Sequence, residues 1–408
     1  MNGGLIPVAE ARARLLAEAE PLPAETVPLE DARGRVLARD LPALRTQPPE
    51  AVSAMDGYAV RAADLENVPA DLTVIGEVAA GHPFAGTVGP GEAARIFTGG
   101  VVPAGADTVT IQENVTVLDG GKVRACQSEP PGRNIRPAGL DFAKDETVLE
   151  AGTVLDAGAL CLAAAANHPS LPVIRRPRVA ILATGDELLP PGSETGPGQI
   201  IASNSYGVAA IARDTGADVI DLGIARDRED ELAAALDRAA AADCDVLVTL
   251  GGASVGDHDL VQKVFVARGM TLGFWKIAMR PGKPLMSGRL GRMKILGLPG
   301  NPVSSLVCSH LFLKPLVERL AGLPSSEIRA QALLDRALPA NDRREDYLRA
   351  VARRDETGTL RVTAFETQDS SMISTYARSN VLVVRPPHAP AADKGETVEV
   401  LVLKPRAF

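Results

Sequence analysis

Between Arg175 and Gly322 the chain alternates short β-branched runs with helix-patterned segments, and no other feature constrains the fold as strongly. The runs are Arg178–Ala183, Asp218–Leu222, Asp245–Leu250, Leu272–Ile277 and Lys294–Leu298. Helical spacing falls between them, near Ser203–Thr215, Glu229–Ala241, Leu260–Arg268 and Val303–Leu320. Strands that are apolar throughout, rather than alternating, are buried on both faces, so the pattern predicts a doubly wound α/β domain around a parallel sheet. With 408 residues the chain is too long for one core, and its flanks read differently.

Val8, Ala11, Leu15 and Leu16 lie at helical spacing before Pro21 and predict an N-terminal amphipathic helix. Thr26 to Leu44 is an arm of mixed pattern, and Thr46 to Asn134 is rich in Gly and Pro with short β-like runs. An extended stretch returns at Asp145–Leu155, after which Asp156 caps an Ala-rich helix over Ala157–Asn167. Beyond Pro324 the runs Tyr347–Ala352, Leu360–Phe365, Val381–Val384 and Thr397–Leu403 predict a small C-terminal β domain. The expected divisions are 1–25, 26–45 with 135–174, 46–134, 175–323 and 324–408.

The net charge of −8 argues against the broad basic field of a nucleic-acid or membrane-surface binder, and 3% aromatic residues leave few stacking platforms. Cys126, Cys161, Cys244 and Cys308 lack metal-ligand spacing and read as reduced, buried thiols of a cytoplasmic protein. The longest apolar stretch, around Ala159 to Ala166, is too short to span a bilayer.

Ligands of open α/β sheets sit at the carboxyl ends of the strands, where three loops stand out. They are Thr184-Gly185-Asp186-Glu187; Gly251 to Asp259, containing Gly252, Ser254, Gly256, Asp257 and His258; and Pro299-Gly300-Asn301-Pro302 leading to Ser304. Glycine-rich strand-to-helix loops bring backbone N–H groups close to phosphate oxygens, although a tight turn explains any single one. Glu187, Asp227, Asp257 and Asp259 fall at the same edge and suit Mg²⁺; helix capping is their alternative reading. The five His include no close-spaced pair and read as bystanders. In Trp275 to Pro284, Lys276, Arg280 and Lys283 lie among two prolines and a glycine, which reads either as a preformed anion clamp or as a solvated basic loop.

Ser53-Ala54-Met55-Asp56-Gly57-Tyr58-Ala59, Phe97-Thr98-Gly99, the three loops and Arg280-Pro281-Gly282-Lys283-Pro284, in this order, resemble the molybdopterin molybdenumtransferase family, which includes the E domain of gephyrin. The resemblance spans nearly the whole chain. It implies a homodimer in which the β-rich domain acts as a lid on the partner's α/β domain. It also implies insertion of molybdate into adenylylated molybdopterin with Mg²⁺-dependent release of AMP.

On this resemblance Asp56, Thr98, Glu187, Asp227, Asp259, Lys276 and Arg280 are catalytic, with Glu187, Asp227 and Asp259 holding the metal. Substrate binding falls to Asp141, Gly251, Gly252, Ser254, Gly256, Lys283, Pro299, Gly300, Asn301, Pro302, Arg349, Ser370 and Ser371. Arg280 departs from the pattern, which usually has Lys there. An adenylyltransferase and apo-molybdoenzymes are the implied partners. Two other activities fit parts of the pattern: molybdopterin adenylyltransferase, which shares the α/β domain, and a receptor-anchoring scaffold like gephyrin.

Overall fold

The computed structural model describes residues 5–252 and 260–404, and the chain forms two compact units. One comprises Met1–Glu25, Gly34–Val36 and Val173–Phe408; the other comprises Thr26–Arg33 and Leu37–Pro172.

The first unit is built on a six-stranded sheet ordered Asp218–Ala225, Arg178–Thr184, Val246–Leu250, Met293–Leu298, Met286–Leu290 and Thr271–Trp275. Side chains alternate across it. Val179, Ile181, Val248 and Leu296 pack with Val208, Ala212 and Val307 on one face, while Ala180, Leu182, Leu247 and Ile295 pack with Leu232, Leu236 and Phe265 on the other. Helices Asn204–Asp214 and Pro302–Cys308 thus cover one side, and Glu229–Ala241 and Leu260–Ala267 the other.

The first four strands are mutually parallel as expected, whereas Met286–Leu290 runs antiparallel to both of its neighbours, Met293–Leu298 and Thr271–Trp275. Met286–Leu290 was not foreseen, because Ser287, Gly288 and Arg289 interrupt the apolar run that marks the other strands. It pairs with Met293–Leu298 through the two-residue turn Gly291-Arg292, for which Gly291 supplies φ +58°. The predicted last helix has a widened π turn at Ser309–Leu313 before Lys314–Leu320. Pro315 has no N–H to donate one turn back, which fits a change of helical pitch there. Helix Val8–Ala17 buries Val8, Ala11 and Leu15 in the same core.

In the C-terminal part Glu345–Arg354, Leu360–Ala364, Arg329–Leu334, Thr397–Val402 and Val381–Arg385 pair in that order, and the last pairs back to the first, closing a small barrel. Met279–Arg280 joins it alongside Glu345–Arg354.

The second unit holds a six-stranded sheet ordered Thr108–Ile111, Gly57–Val60, Glu92–Ile96, Ala70–Val78, Lys122–Ala125 and Val115–Leu118. Its arm pairs Val52–Ser53 with Ile135–Arg136 and Leu41–Pro42 with Thr147–Leu149. Asp156 caps helix Ala157–Ala165 through the Ala159 N–H at 2.9 Å.

The cysteine expectation needs correcting. Cys244 and Cys308 are buried, but Cys126, just past the end of strand Lys122–Ala125, and Cys161, on the solvent side of helix Ala157–Ala165, are exposed. All four are free thiols. Among the described residues no helix is long and apolar enough to cross a membrane.

Candidate active site

At the carboxyl ends of the parallel strands the loops open a cavity of about 420 Å³. Backbone crowding explains its glycines. Gly251 has φ +102°, and a Cβ there would lie 2.6 Å from the Thr184 carbonyl oxygen. Gly252 has φ +65°, and its Cβ would lie 2.3 Å from Val261 Cγ2. Only glycine permits both conformation and approach, which leaves backbone groups facing the cavity. Glu187, Asp227, Gly251, Gly252, Pro299, Gly300, Asn301 and Pro302 all line it. Ser254, Gly256, Asp257, His258 and Asp259 lie outside the described residues.

The cavity wall also includes Ile200–Ser205, of which Ser203–Ser205 was expected only as a helix start and Ile200–Ala202 was not assigned. Ser203 makes no capping bond; Asn204 instead donates through Nδ2 to the Gly300 carbonyl at 2.7 Å and ties this segment to the third loop. A Ser-Asn pair before a helix was the available signal, and capping was the simpler explanation for it.

The acids at this edge are short of positive partners. Asp186 accepts the Asp227 N–H at 3.2 Å. Asp227 itself stays open to solvent, but partial loss of hydration, and then the charges of Asp186 and Glu187, push its carboxyl above the usual range. Among the described residues no group of three or more His, Cys, Asp and Glu is arranged to hold a metal ion.

The cationic segment runs from the edge strand Thr271–Trp275 of the α/β sheet to the barrel strand Met279–Arg280 and back. Lys276 adopts φ +70° and lays its ammonium 4.0 Å from the Trp275 ring centroid. Lys283 is half-buried, and its ammonium has no hydrogen-bond or ion-pair partner among the described residues. Its neighbour Pro284 lines the cavity.

Arg349 is 1% exposed. Its Nη2 donates to the Asp369 carbonyl at 3.2 Å, while its Nε is buried with no partner. Burial lowers its pKa to about 10, against the opposing pull of Asp369 and Asp346. Ser370 sits at the junction with the α/β loops: its Oγ accepts from Asn301 Nδ2 at 2.9 Å, and its carbonyl accepts the Val303 N–H at 3.1 Å. Ser371 Oγ donates to Asp369 Oδ1 at 2.6 Å.

Arg280 does not join this group. It pairs in register with Asp346, so both side chains leave the same face of the barrel, whereas Arg349 is an odd number of residues along and leaves the other. Its Nε donates to Asp346 Oδ1 at 2.8 Å, and Asp342 and Asn341 surround the remaining nitrogens. Its charge is therefore already engaged, and the expected partnership with Lys283 and Arg349 is not seen.

In the second unit Asp56 Oδ1 accepts both the Thr98 N–H at 2.7 Å and the Thr98 Oγ1 hydroxyl at 2.8 Å. The backbone donor first, then the hydroxyl, hold the Asp56 carboxyl below its usual range. Arg95 lies between the rings of Tyr58 and Phe97, 5.0 and 4.8 Å from their centroids, and braces this edge. Asp141 is exposed, with its N–H donated to the Gln47 carbonyl at 3.0 Å. Of the histidines, His310 is half-buried, and desolvation drops its pKa to about 4.

Residues 6–167 match the MoeA N-terminal region (domain I and II), residues 180–319 the probable molybdopterin binding domain, and residues 331–403 the MoeA C-terminal region (domain IV). A molybdopterin molybdenumtransferase of Haemophilus influenzae is 35% identical over 96% of this chain and 97% of its own length. Molybdopterin molybdenumtransferase 2 of Mycobacterium tuberculosis is 40% identical over 80% of this chain and 82% of its own length. Two crystal structures of the molybdopterin biosynthesis MoeA protein of Pyrococcus horikoshii have TM-scores of 0.84 and 0.79 at 30% and 29% identity, each covering 98% of this chain and 100% of the other. With two loops and the Asn301–Ser370 link around one cavity, and relatives alike over its full length, the chain belongs to the molybdopterin molybdenumtransferase family of transferases.

Proposed function

We propose that this protein inserts molybdate into adenylylated molybdopterin and releases AMP, the final step of molybdenum cofactor assembly, as a cytoplasmic homodimer. The observation that carries the reading is Arg349: an almost wholly buried guanidinium with an unpartnered Nε, whose Nη2 donates to the carbonyl of Asp369, the neighbour of the Ser370 that Asn301 ties to the cavity loops. A buried cation with spare donors fits a tetrahedral oxyanion, and Lys283, whose ammonium has no partner among the described residues, adds another positive charge.

The pterin pyrophosphate is assigned to the glycine-lined cavity, where Gly251, Gly252 and Gly300 leave backbone groups accessible. Asp227 and Glu187 fit a divalent cation, because partial burial and then the charges of Asp186 and Glu187 raise the Asp227 pKa, and a cation relieves both costs. Together with Asp259 they are the proposed ligands. Mg²⁺ bound there supplies charge neutralisation at the pyrophosphate. Lys283 and Arg349 orient the molybdate, and Asn301 holds Ser370 toward it. Asp56, with Thr98, is assigned to the substrate side through the homodimer that the family implies.

The test is AMP release from adenylylated molybdopterin by purified protein with Mg²⁺, with and without molybdate, beside Asp259→Ala. Molybdate-dependent release that is lost in the variant supports the insertase. Release of pyrophosphate from ATP without molybdate points to adenylyl transfer instead, and no turnover under any condition points to a scaffold.

A further inference from the structure

Arg280, Asp346 and Arg385 lie side by side on neighbouring strands of the barrel: Arg280 pairs with Asp346, and Asp346 pairs with Arg385. All three border a cavity of about 470 Å³ on the face of strand Glu345–Arg354 opposite Arg349. Leu338, Leu348 and Phe365 form its apolar walls, and Arg336 stands at its rim. The size and the mix of apolar walls with a few charged groups are those of small-molecule sites.

The charges around it do not balance. Among the residues that line it, three guanidiniums, of Arg280, Arg336 and Arg385, face two carboxylates, of Asp346 and Glu366. Asp346 takes Arg280 and Glu366 takes Arg336 at 2.8 Å, while Asp342, outside the lining, is shared between Arg344 at 3.0 Å and Arg280 at 3.5 Å. Arg385 is left over. It is 6% exposed, and only its Nη2 is engaged, by the carbonyls of Pro339 and Pro390; no described carboxylate pairs with it. A buried guanidinium without a counter-ion is costly, and a ligand anion removes that cost.

We propose that this cavity binds a singly charged organic acid, its carboxylate on Arg385 and its apolar body against Leu348 and Phe365. One uncompensated positive charge sets the ligand charge at one negative, and the walls select a carbon skeleton over a bare inorganic oxyanion. The site is separate from the molybdate residues and does not depend on the activity proposed above.

Benzoate is a suitable probe, titrated into the full-length protein and followed by saturation-transfer NMR, with benzyl alcohol and inorganic phosphate as the neutral and inorganic arms. The expected result is saturable binding of benzoate alone, weakened roughly tenfold or more by Arg385→Met. Leu348→Trp, which fills the cavity and keeps every charge, is expected to do the same and stands in should Arg385→Met fail to fold. Lys283→Ala is expected to leave benzoate binding unchanged. Absence of benzoate binding, equal binding by the wild type and Leu348→Trp, preference for phosphate, or loss in Lys283→Ala would each overturn the proposal.

Discussion

Asp56 and Asp227 are both surface-reachable aspartates on loops that follow strands, yet their surroundings drive them in opposite directions. Asp56 receives two donors from Thr98, and its negative charge is stabilised. Asp227 faces Asp186 and Glu187 in a partly dehydrated pocket, and its negative charge is strained. The first carboxylate is a finished acceptor that holds a loop in place. The second lacks a positive partner among the described residues, and on the proposed reading a cation bound there raises stability.

Asp227→Asn breaks this contrast most strongly. A raised acid pKa means that stability is greatest at low pH and is lost as pH rises through the raised value, so at neutral pH the ionised Asp227 is a burden. The variant is expected to melt at a higher temperature than the wild type without Mg²⁺, to lose the Mg²⁺-induced rise in Tm, and to release AMP roughly 100-fold more slowly. Equal Tm values with and without Mg²⁺ in the wild type would refute the comparison.

Arg349 is the cationic counterpart of Asp227. Arg349→Met is expected to weaken molybdate binding, measured by calorimetry, roughly 100-fold. In the wild type that affinity is expected to fall as pH climbs through about 10, the value to which burial lowers the Arg349 pKa. An affinity flat to the highest pH at which the fold survives would show that other groups hold the oxyanion.

Asp56→Asn is expected to act in the opposite sense to Asp227→Asn on stability. A lowered acid pKa adds stability above the usual carboxylate range that is lost as pH falls through the lowered value, so removing the charge lowers Tm at neutral pH. The smallest effect is that of Thr98→Val. It removes only the hydroxyl and keeps the backbone N–H that contributes most, so the Asp56 carboxyl titration, followed by NMR, moves up only slightly. A large upward move would assign the main role to the hydroxyl instead.

Much of the architecture was readable from residue pattern. Buried parallel strands announce themselves as continuous apolar runs, and Val179 to Leu182 divide between two cores as that pattern requires. The glycine loops were readable because positive φ and close backbone approach exclude other residues, as at Gly251 and Gly252. Met286–Leu290 was missed because an antiparallel hairpin strand needs no apolar run. Asn204 was missed because its partner, the Gly300 carbonyl, is nearly a hundred residues away. Arg280 was grouped with Lys283 by proximity along the chain, but strand pairing with Asp346 turns it to the other face.

The sequence by itself determined the α/β core, the cavity loops and the cations available to an anion, because these follow from local periodicity, glycine conformation and residue charge. Only the tertiary structure decided which of those cations is free. Arg280 is neutralised by Asp346, Arg349 is sealed with a spare donor, and Arg385 is left without a carboxylate. The reason is physical: a charge is spent or unspent according to what strand register and burial place within a few ångströms of it, and neighbours along the chain do not fix that.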